Sequence, residues 1–293
     1  MIAIHIDKVK SIQLSFEEKI KQQRLNAIAK LEKIKPISTD DCNYLYSVKE
    51  LFKNNPDIIT WEPKRLDDEM KKFTTVPLVI IKKNKKGEDI IGKSQIKEKI
   101  LESLGYKALR KSFYPIYFRE IKIKSCIYCN SQLAITSDKS YKNELSAKFD
   151  VDHYRSKDEY PFLSICLFNL YPSCSSCNRS KSYNDNIEFE LYTEYLIKTK
   201  KSDYKFHFSS FSKAKYLTTR DSKYLEFTFK EPSYSADKKK FNDVFHIQGI
   251  YETQLDIVEE LVIKTQIYNP SYIKIHYCPI KIKIKIFKII NTC

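Results

Sequence analysis

Apolar positions near the start of the chain recur with a helical period. Leu14, Phe16, Ile20, Leu25, Ile28 and Leu31 fall at that spacing between Ser11 and Lys35 and stop before Pro36, which predicts one helix over 11–35. A second helix is predicted over Tyr44–Lys53. A third, amphipathic helix is predicted over Gln95–Arg110, where Ile96, Ile100, Leu104 and Ala108 share a face. In "KFDVDHY" (148–154) the period changes to two, with Phe149, Val151 and His153 on one side and Asp150, Asp152 and Tyr154 on the other. "YKFHFSSF" (204–211) and "YLEFTF" (224–229) alternate in the same way. Residues 251–268 return to a helical pattern through Tyr251, Leu255, Val258, Leu261 and Val262. The expected class is α+β: a mainly helical region over 1–120, a cysteine-bearing centre over 121–190, and a mixed strand and helix region over 191–293. "KIKIKIFKII" (281–290) reads as an exposed edge strand or an irregular end and carries no assigned function.

Composition changes the picture in two ways. With 42% hydrophobic and 13% aromatic residues the chain can offset its ordering entropy, so a disordered protein is not the default reading. A formal net charge of +15 and a pI near 9.2 favour a polyanionic partner, either nucleic acid or an acidic membrane face, although a Lys- and Ile-rich composition bias yields the same charge. Between Lys82 and Lys124, thirteen Lys or Arg stand against five Asp or Glu, which also suits a solvated helix face. Residues 1–10 show no cleavage-site pattern and no apolar run approaches a membrane span, so the expected compartment is the cytoplasm, with no membrane partner. There the eight cysteines read as metal ligands or reduced thiols, not as disulfides.

The chemistry concentrates in the centre. "CIYC" places Cys126 and Cys129 two residues apart, and after 44 residues "CSSC" repeats the spacing with Cys174 and Cys177. Together these supply the four thiolates of a tetrahedral structural Zn2+ site, whose main contribution is folding energy. Inside the loop that such an ion would close, Asp152 and His153 end the predicted strand. Asn169 precedes a second strand, and Asn178 follows the last cysteine. Hydrolysis of a phosphodiester needs a base for water and a hard cation for the developing charge. His153 suits the first role, and the oxygens of Asp152 and Asn178 suit Mg2+ or Mn2+. Arg155, Lys157, Arg179 and Lys181 flank these residues where a phosphate backbone would lie. No P-loop, Gly-rich nucleotide fingerprint or serine elbow is present, so nucleotide hydrolysis would belong to another chain. His5, His207, His246 and His276 lack partners at ligand spacing. Cys166 reads as a small buried residue, and Cys42, Cys278 and Cys293 are unassigned.

Over Cys126–Asn186 the ordered set of Cys-x-x-Cys, Asp-His at a strand end, a middle Asn, and Cys-x-x-Cys-Asn-x-x-Lys resembles the HNH, or ββα-metal, endonuclease superfamily. "DVDH" is similar to the HNH domain of CRISPR effector nucleases, and the Cys-Asn junction is similar to the zinc-bearing phage resolvases. The resemblance implies a ββα-metal core within 121–190, His153 as general base, Asp152 and Asn178 as ligands of the catalytic ion, and Asn169 as the residue that pins the His-bearing loop. The chain departs from many members in placing its proline, Pro161, well after the Asp-His. That longer form, with Tyr-Pro and Asn-Leu downstream, is similar to HNH subunits of bacterial anti-phage systems such as Septu. This implies an effector acting on nucleic acid, DNA first, beside an ATPase partner. The alternative is a zinc-stabilised nucleic-acid-binding or adaptor protein that does not cut. It accounts for the cysteines and the charge but not for Asp152, His153 and Asn178 in this order.

Overall fold

The structure is a computed structural model and describes residues 2–83, 89–139, 144–181, 187–235, 238–269 and 272. Cys278, Cys293, His276 and the Lys/Ile run at 281–290 lie outside these residues. Two compact units divide the chain: residues 5–127 with 132–184, and residues 1–4 with 128–131 and 185–293. The class is α+β, and among the described residues each sheet has two strands. No helix among the described residues is long and apolar enough to cross a membrane.

The first unit holds helices α1 (Ile6–Leu14), α2 (Glu17–Leu31), α3 (Thr39–Asn54), α4 (Pro63–Met70), α5 (Ile96–Ser103), α6 (Tyr106–Ser112), α7 (Tyr114–Ile121) and α8 (Ser175–Ser180). The single helix expected over 11–35 is therefore two. At the junction both the N–H and the hydroxyl of Ser15 donate to the Ile12 carbonyl, at 3.1 and 2.7 Å, so a side chain competes with the helical ladder. The next residue, Phe16, packs edge-on against Phe113 and Tyr117. α3 begins earlier than Tyr44 because Ser38 caps it, its hydroxyl accepting from the Asp41 N–H at 3.1 Å, with Asp40 and Asp41 in the favourable first turn.

The helix expected over Gln95–Arg110 also divides, at Gly105, whose φ of +73° is left-handed. Ile96, Ile100 and Leu104 are buried as the pattern required, but Ala108 lies beyond the break and is exposed. A Cβ on Gly105 would come within 3.2 Å of the Gln23 amide nitrogen, which donates to the Leu104 carbonyl at 2.7 Å. Gly105→Ala is expected to cost about 1–2 kcal/mol of stability, read as a lower denaturation midpoint. The region over 1–120 is not wholly helical either. The β-branched run at Val79–Lys83 pairs antiparallel with Asp89–Lys93, a hairpin that helical periodicity could not reveal.

Thr136–Lys139 pairs with Glu144–Ala147, and Asp150–His153 pairs with Leu170–Ser173, His153 facing Leu170. The segment joining the last two strands, residues 154–169, contains the run Phe162–Phe168, which forms short 3-10 turns and is buried throughout. Each large side chain there contributes about 1.5–3 kcal/mol by leaving water. This anchors the base of the Asp150–His153 strand in the core that Phe52, Ile58, Trp61 and Phe118 also fill.

In the second unit Lys205–Phe208 pairs antiparallel with Phe227–Lys230, and α9 (Ser210–Thr219), α10 (Phe241–Phe245), α11 (Ile247–Glu252) and α12 (Leu255–Ile267) surround the pair in sequence. Tyr216, Leu225, Phe227 and Val258 form its buried cluster, with Phe206, Tyr251, Leu255 and Val262 against it. Leu261, expected on the same face, is 45% exposed instead. Helix formation also breaks between α11 and α12, where the expected span ran through.

Candidate active site and metal centre

Four thiols define one end of the site. The sulfurs of Cys126, Cys129, Cys174 and Cys177 all lie within 4.8 Å of one another, and none is in a disulfide. A tetrahedron built on Zn–S bonds of about 2.3 Å has S–S edges of about 3.8 Å, so the cluster suits a metal ion such as zinc. The backbone is shaped to match. The Cys126 N–H donates to the Gln132 carbonyl at 2.8 Å, and Asn130 takes a φ of +52° to reverse the chain. In the second turn the Cys177 N–H points at the Cys174 sulfur at 3.4 Å, and the Cys174 carbonyl accepts from the Asn178 N–H at 3.0 Å. The second cysteine pair thus starts α8, and Asn178 and Lys181 are carried on it.

His153 sits at the end of its strand on the buried face, 6% exposed. Its ring lies against Tyr106, centroids 4.8 Å apart, and the Tyr106 hydroxyl donates to the Val151 carbonyl at 3.1 Å. Nε2 is 3.0 Å from the Ser164 carbonyl. A carbonyl only accepts, so Nε2 carries the hydrogen and Nδ1 the lone pair. Nδ1 makes no hydrogen bond among the described residues. Burial, reinforced by the charges of Lys157 and Lys181, lowers the imidazole pKa to about 3, so the ring is neutral near pH 7.

Asn169, 1% exposed, ties the loop that follows His153. Its Oδ1 accepts from the Arg155 N–H at 2.7 Å, while Nδ2 donates to the carbonyls of Arg155 at 3.0 Å and Leu163 at 3.1 Å. The Asn169 backbone carbonyl accepts from the Tyr154 N–H at 2.9 Å, extending the strand pairing by one step. Asn169→Ala would take the side-chain partner from the Arg155 N–H and carbonyl, while the Leu163 carbonyl keeps the Cys166 N–H, and is expected to cost about 2–4 kcal/mol, checked by chemical denaturation.

Arg155, expected beside a phosphate, is paired within the chain. Its guanidinium forks onto Asp67 of α4 at 2.7 and 2.8 Å and lies over the Tyr154 ring, 4.6 Å from the centroid. Only the folded chain reveals Asp67, 88 residues away, as the partner of this arginine. The structure thus gives Arg155 a bracing role between α4 and the His153 loop. Arg179 is exposed and makes no ion pair among the described residues.

Strand alternation sends Asp150 and Asp152 to the face opposite Val151 and His153. The two members of the Asp-His pair therefore do not meet side by side. Lys181, only 6% exposed in its side chain, donates to Asp152 Oδ2 at 2.5 Å and to the His153 carbonyl at 2.9 Å. Lys181 is thus engaged inside the protein, whereas the paired Arg155 keeps 26% of its side chain exposed. Asn178 reaches Asp150, its Nδ2 3.4 Å from Oδ2, not Asp152, and Arg110 of α6 pairs with the other oxygen of Asp150. Asp150 itself was within reach of sequence reading, since it stands two residues before Asp152 on the same strand face. Tyr106, Arg110, Ser164 and Asp67 were not, because none lies in a spaced motif. The acidic face nonetheless gathers hard oxygen donors, Asp150, Asp152 and the Asn178 amide, of the kind that Mg2+ or Mn2+ takes.

No family model matches the chain, and no solved structure matches it. Among curated proteins the chain is similar to Septu protein PtuB of Bacillus thuringiensis, 32% identical over 76 residues. The similar stretch is 26% of this chain and 26% of that protein, so the likeness spans about a quarter of the relative's length.

Proposed function

We propose that this chain is a metal-dependent endonuclease of HNH type that hydrolyses phosphodiester bonds of nucleic acid, DNA first. We assign it the role of effector in bacterial anti-phage defence beside an ATPase partner. One observation carries the catalytic reading. A neutral imidazole is held through Nε2 by the Ser164 carbonyl, with its Nδ1 lone pair uncommitted, at the end of a strand whose other face bears two carboxylates. The partial likeness to a Septu protein supports the defence role.

In this reading His153 Nδ1 takes the proton of the attacking water. Ser164 and Tyr106 hold the ring still, and Asn169 holds the loop around it. Asp152 and Asn178 would hold a Mg2+ or Mn2+ ion, which when bound neutralises charge on the phosphate and on the leaving oxygen. Arg155, Arg179 and Lys181 are assigned to the phosphate backbone, with Lys157 beside them. The cysteine cluster, loaded with zinc, keeps the α8 backbone that aims Asn178.

The test is cleavage of plasmid and single-stranded DNA by purified, zinc-loaded protein in Mg2+, Mn2+ or EDTA. Cutting that needs a divalent ion supports the proposal. Nucleic-acid binding with no cutting under any ion, with the ATPase partner present or absent, would sink it and leave the adaptor reading.

A further inference from the structure

Lys181 is buried against a carboxylate that the foregoing proposal gives to a metal ion. Its ammonium lies 2.5 Å from Asp152 Oδ2 and 2.9 Å from the His153 carbonyl, with 6% of the Lys181 side chain and 12% of the Asp152 side chain exposed. The lysine is delivered there by the cysteine turn, since its N–H donates to the Cys177 carbonyl at 3.0 Å at the end of α8. Asp150 is treated alike, by Arg110, although that arginine is 45% exposed. Each acid of the strand face therefore has its own cation, and the one on Asp152 is the more deeply enclosed.

The ammonium charge, poorly screened by water at this depth, opposes the approach of a second cation to the same carboxylate. We propose that Lys181 is the built-in counter-cation of Asp152, which a divalent ion must displace before it can bind. This inference rests on the assignment of Asp152 as a metal ligand. It makes Lys181 a positioning residue with two settings. Without the ion its ammonium offsets the charge of the Asp152 carboxylate, which stabilises the site. With the ion bound, its ammonium leaves Asp152 and is free to turn toward a substrate phosphate, so metal binding and substrate attraction become coupled. Affinity for the ion is correspondingly weakened by the intact lysine.

The experiment is a Mn2+ titration of the zinc-loaded, full-length chain without nucleic acid, following the electron paramagnetic resonance signal of free Mn2+. Lys181→Met, which keeps the length and removes the charge, is expected to lower the Mn2+ dissociation constant by about tenfold or more, equivalent to about 1.4 kcal/mol. Lys181→Arg is expected to resemble the wild type, and Asp152→Asn added to Lys181→Met should erase the gain. Lys181→Gln, which can still donate to both oxygens without a charge, serves the same purpose if Lys181→Met does not fold. Wild type and the neutral variants binding Mn2+ equally well, or the variants more weakly, would overturn the inference while leaving the metal assignment in place. No Mn2+ binding by wild type and neutral variants alike would overturn both. A purely structural brace would lower thermal stability in Lys181→Met without any gain in Mn2+ affinity.

Discussion

Cys177→Ala should leave the purified chain with less than about a tenth of an equivalent of zinc, against about one equivalent in the wild type. Its thermal midpoint should fall by roughly 10 °C or more. The reason is the distribution of work around the four sulfurs. The Cys174–Cys177 turn has two exposed serines and no apolar side chain between its ligands, so the bond energy of a bound ion would supply most of its stability. For small zinc modules that contribution reaches about 10–16 kcal/mol. Loss of one ligand leaves three thiols crowded together and loosens the short helix α8, which carries Asn178 and ends at Lys181. Metal content by inductively coupled plasma mass spectrometry and a calorimetric scan decide the matter. Cys166→Ala is the control, since Cys166 is fully buried but donates to the Ile58 carbonyl and stands outside the cluster. It should lose some stability and keep the zinc. If Cys177→Ala retained a full equivalent of metal, the cluster would not be the metal site.

For the proposed chemistry, His153→Ala carries the largest expected effect, a fall in cleavage rate of about 10²–10⁴-fold, the range of a lost general base. Zinc content should be unchanged, and nucleic-acid binding should stay within about twofold, because the ring contacts Tyr106 and the Ser164 carbonyl and no phosphate-binding side chain. Removing a buried ring will also lower stability, so rates are to be compared well below the variant's own midpoint. Single-turnover cleavage beside a binding isotherm separates the two effects. An undiminished rate in a folded His153→Ala chain would remove His153 from the mechanism. Lost binding together with lost cleavage would recast it as a structural residue.

Much of the site was legible without coordinates, and the reasons are local. Two Cys-x-x-Cys pairs give four sulfurs at ligand spacing, and the sulfurs do converge to within 4.8 Å. The period-two pattern at 148–154 placed His153 with Val151 and Asp152 with Asp150, and the strand shows that alternation over Asp150–His153. Helix boundaries were less legible where one residue changed the backbone. Ser15 turned its hydroxyl back on the helix and Gly105 took a left-handed φ, and hydrophobic periodicity is blind to both. The hairpin at Val79–Lys83 was missed for a related reason: short apolar runs carry no helical or strand period long enough to read.

What the chain determined by itself was composition, period and spacing: a folded, basic α+β protein with a four-cysteine cluster and an Asp-His strand end. What only the tertiary structure decided was how each charge is spent. Arg155 is committed to Asp67, Lys181 to Asp152, Arg110 to Asp150, and the His153 proton to the Ser164 carbonyl. These partners come from elements 11 to 88 residues away, and a charge or a ring nitrogen takes whichever partner the packing brings within about 3 Å. Spacing along the chain sets which groups are near by covalent connection. Burial decides which of them must pair, because an unpaired charge in the core costs more than a residue's local preference can offset.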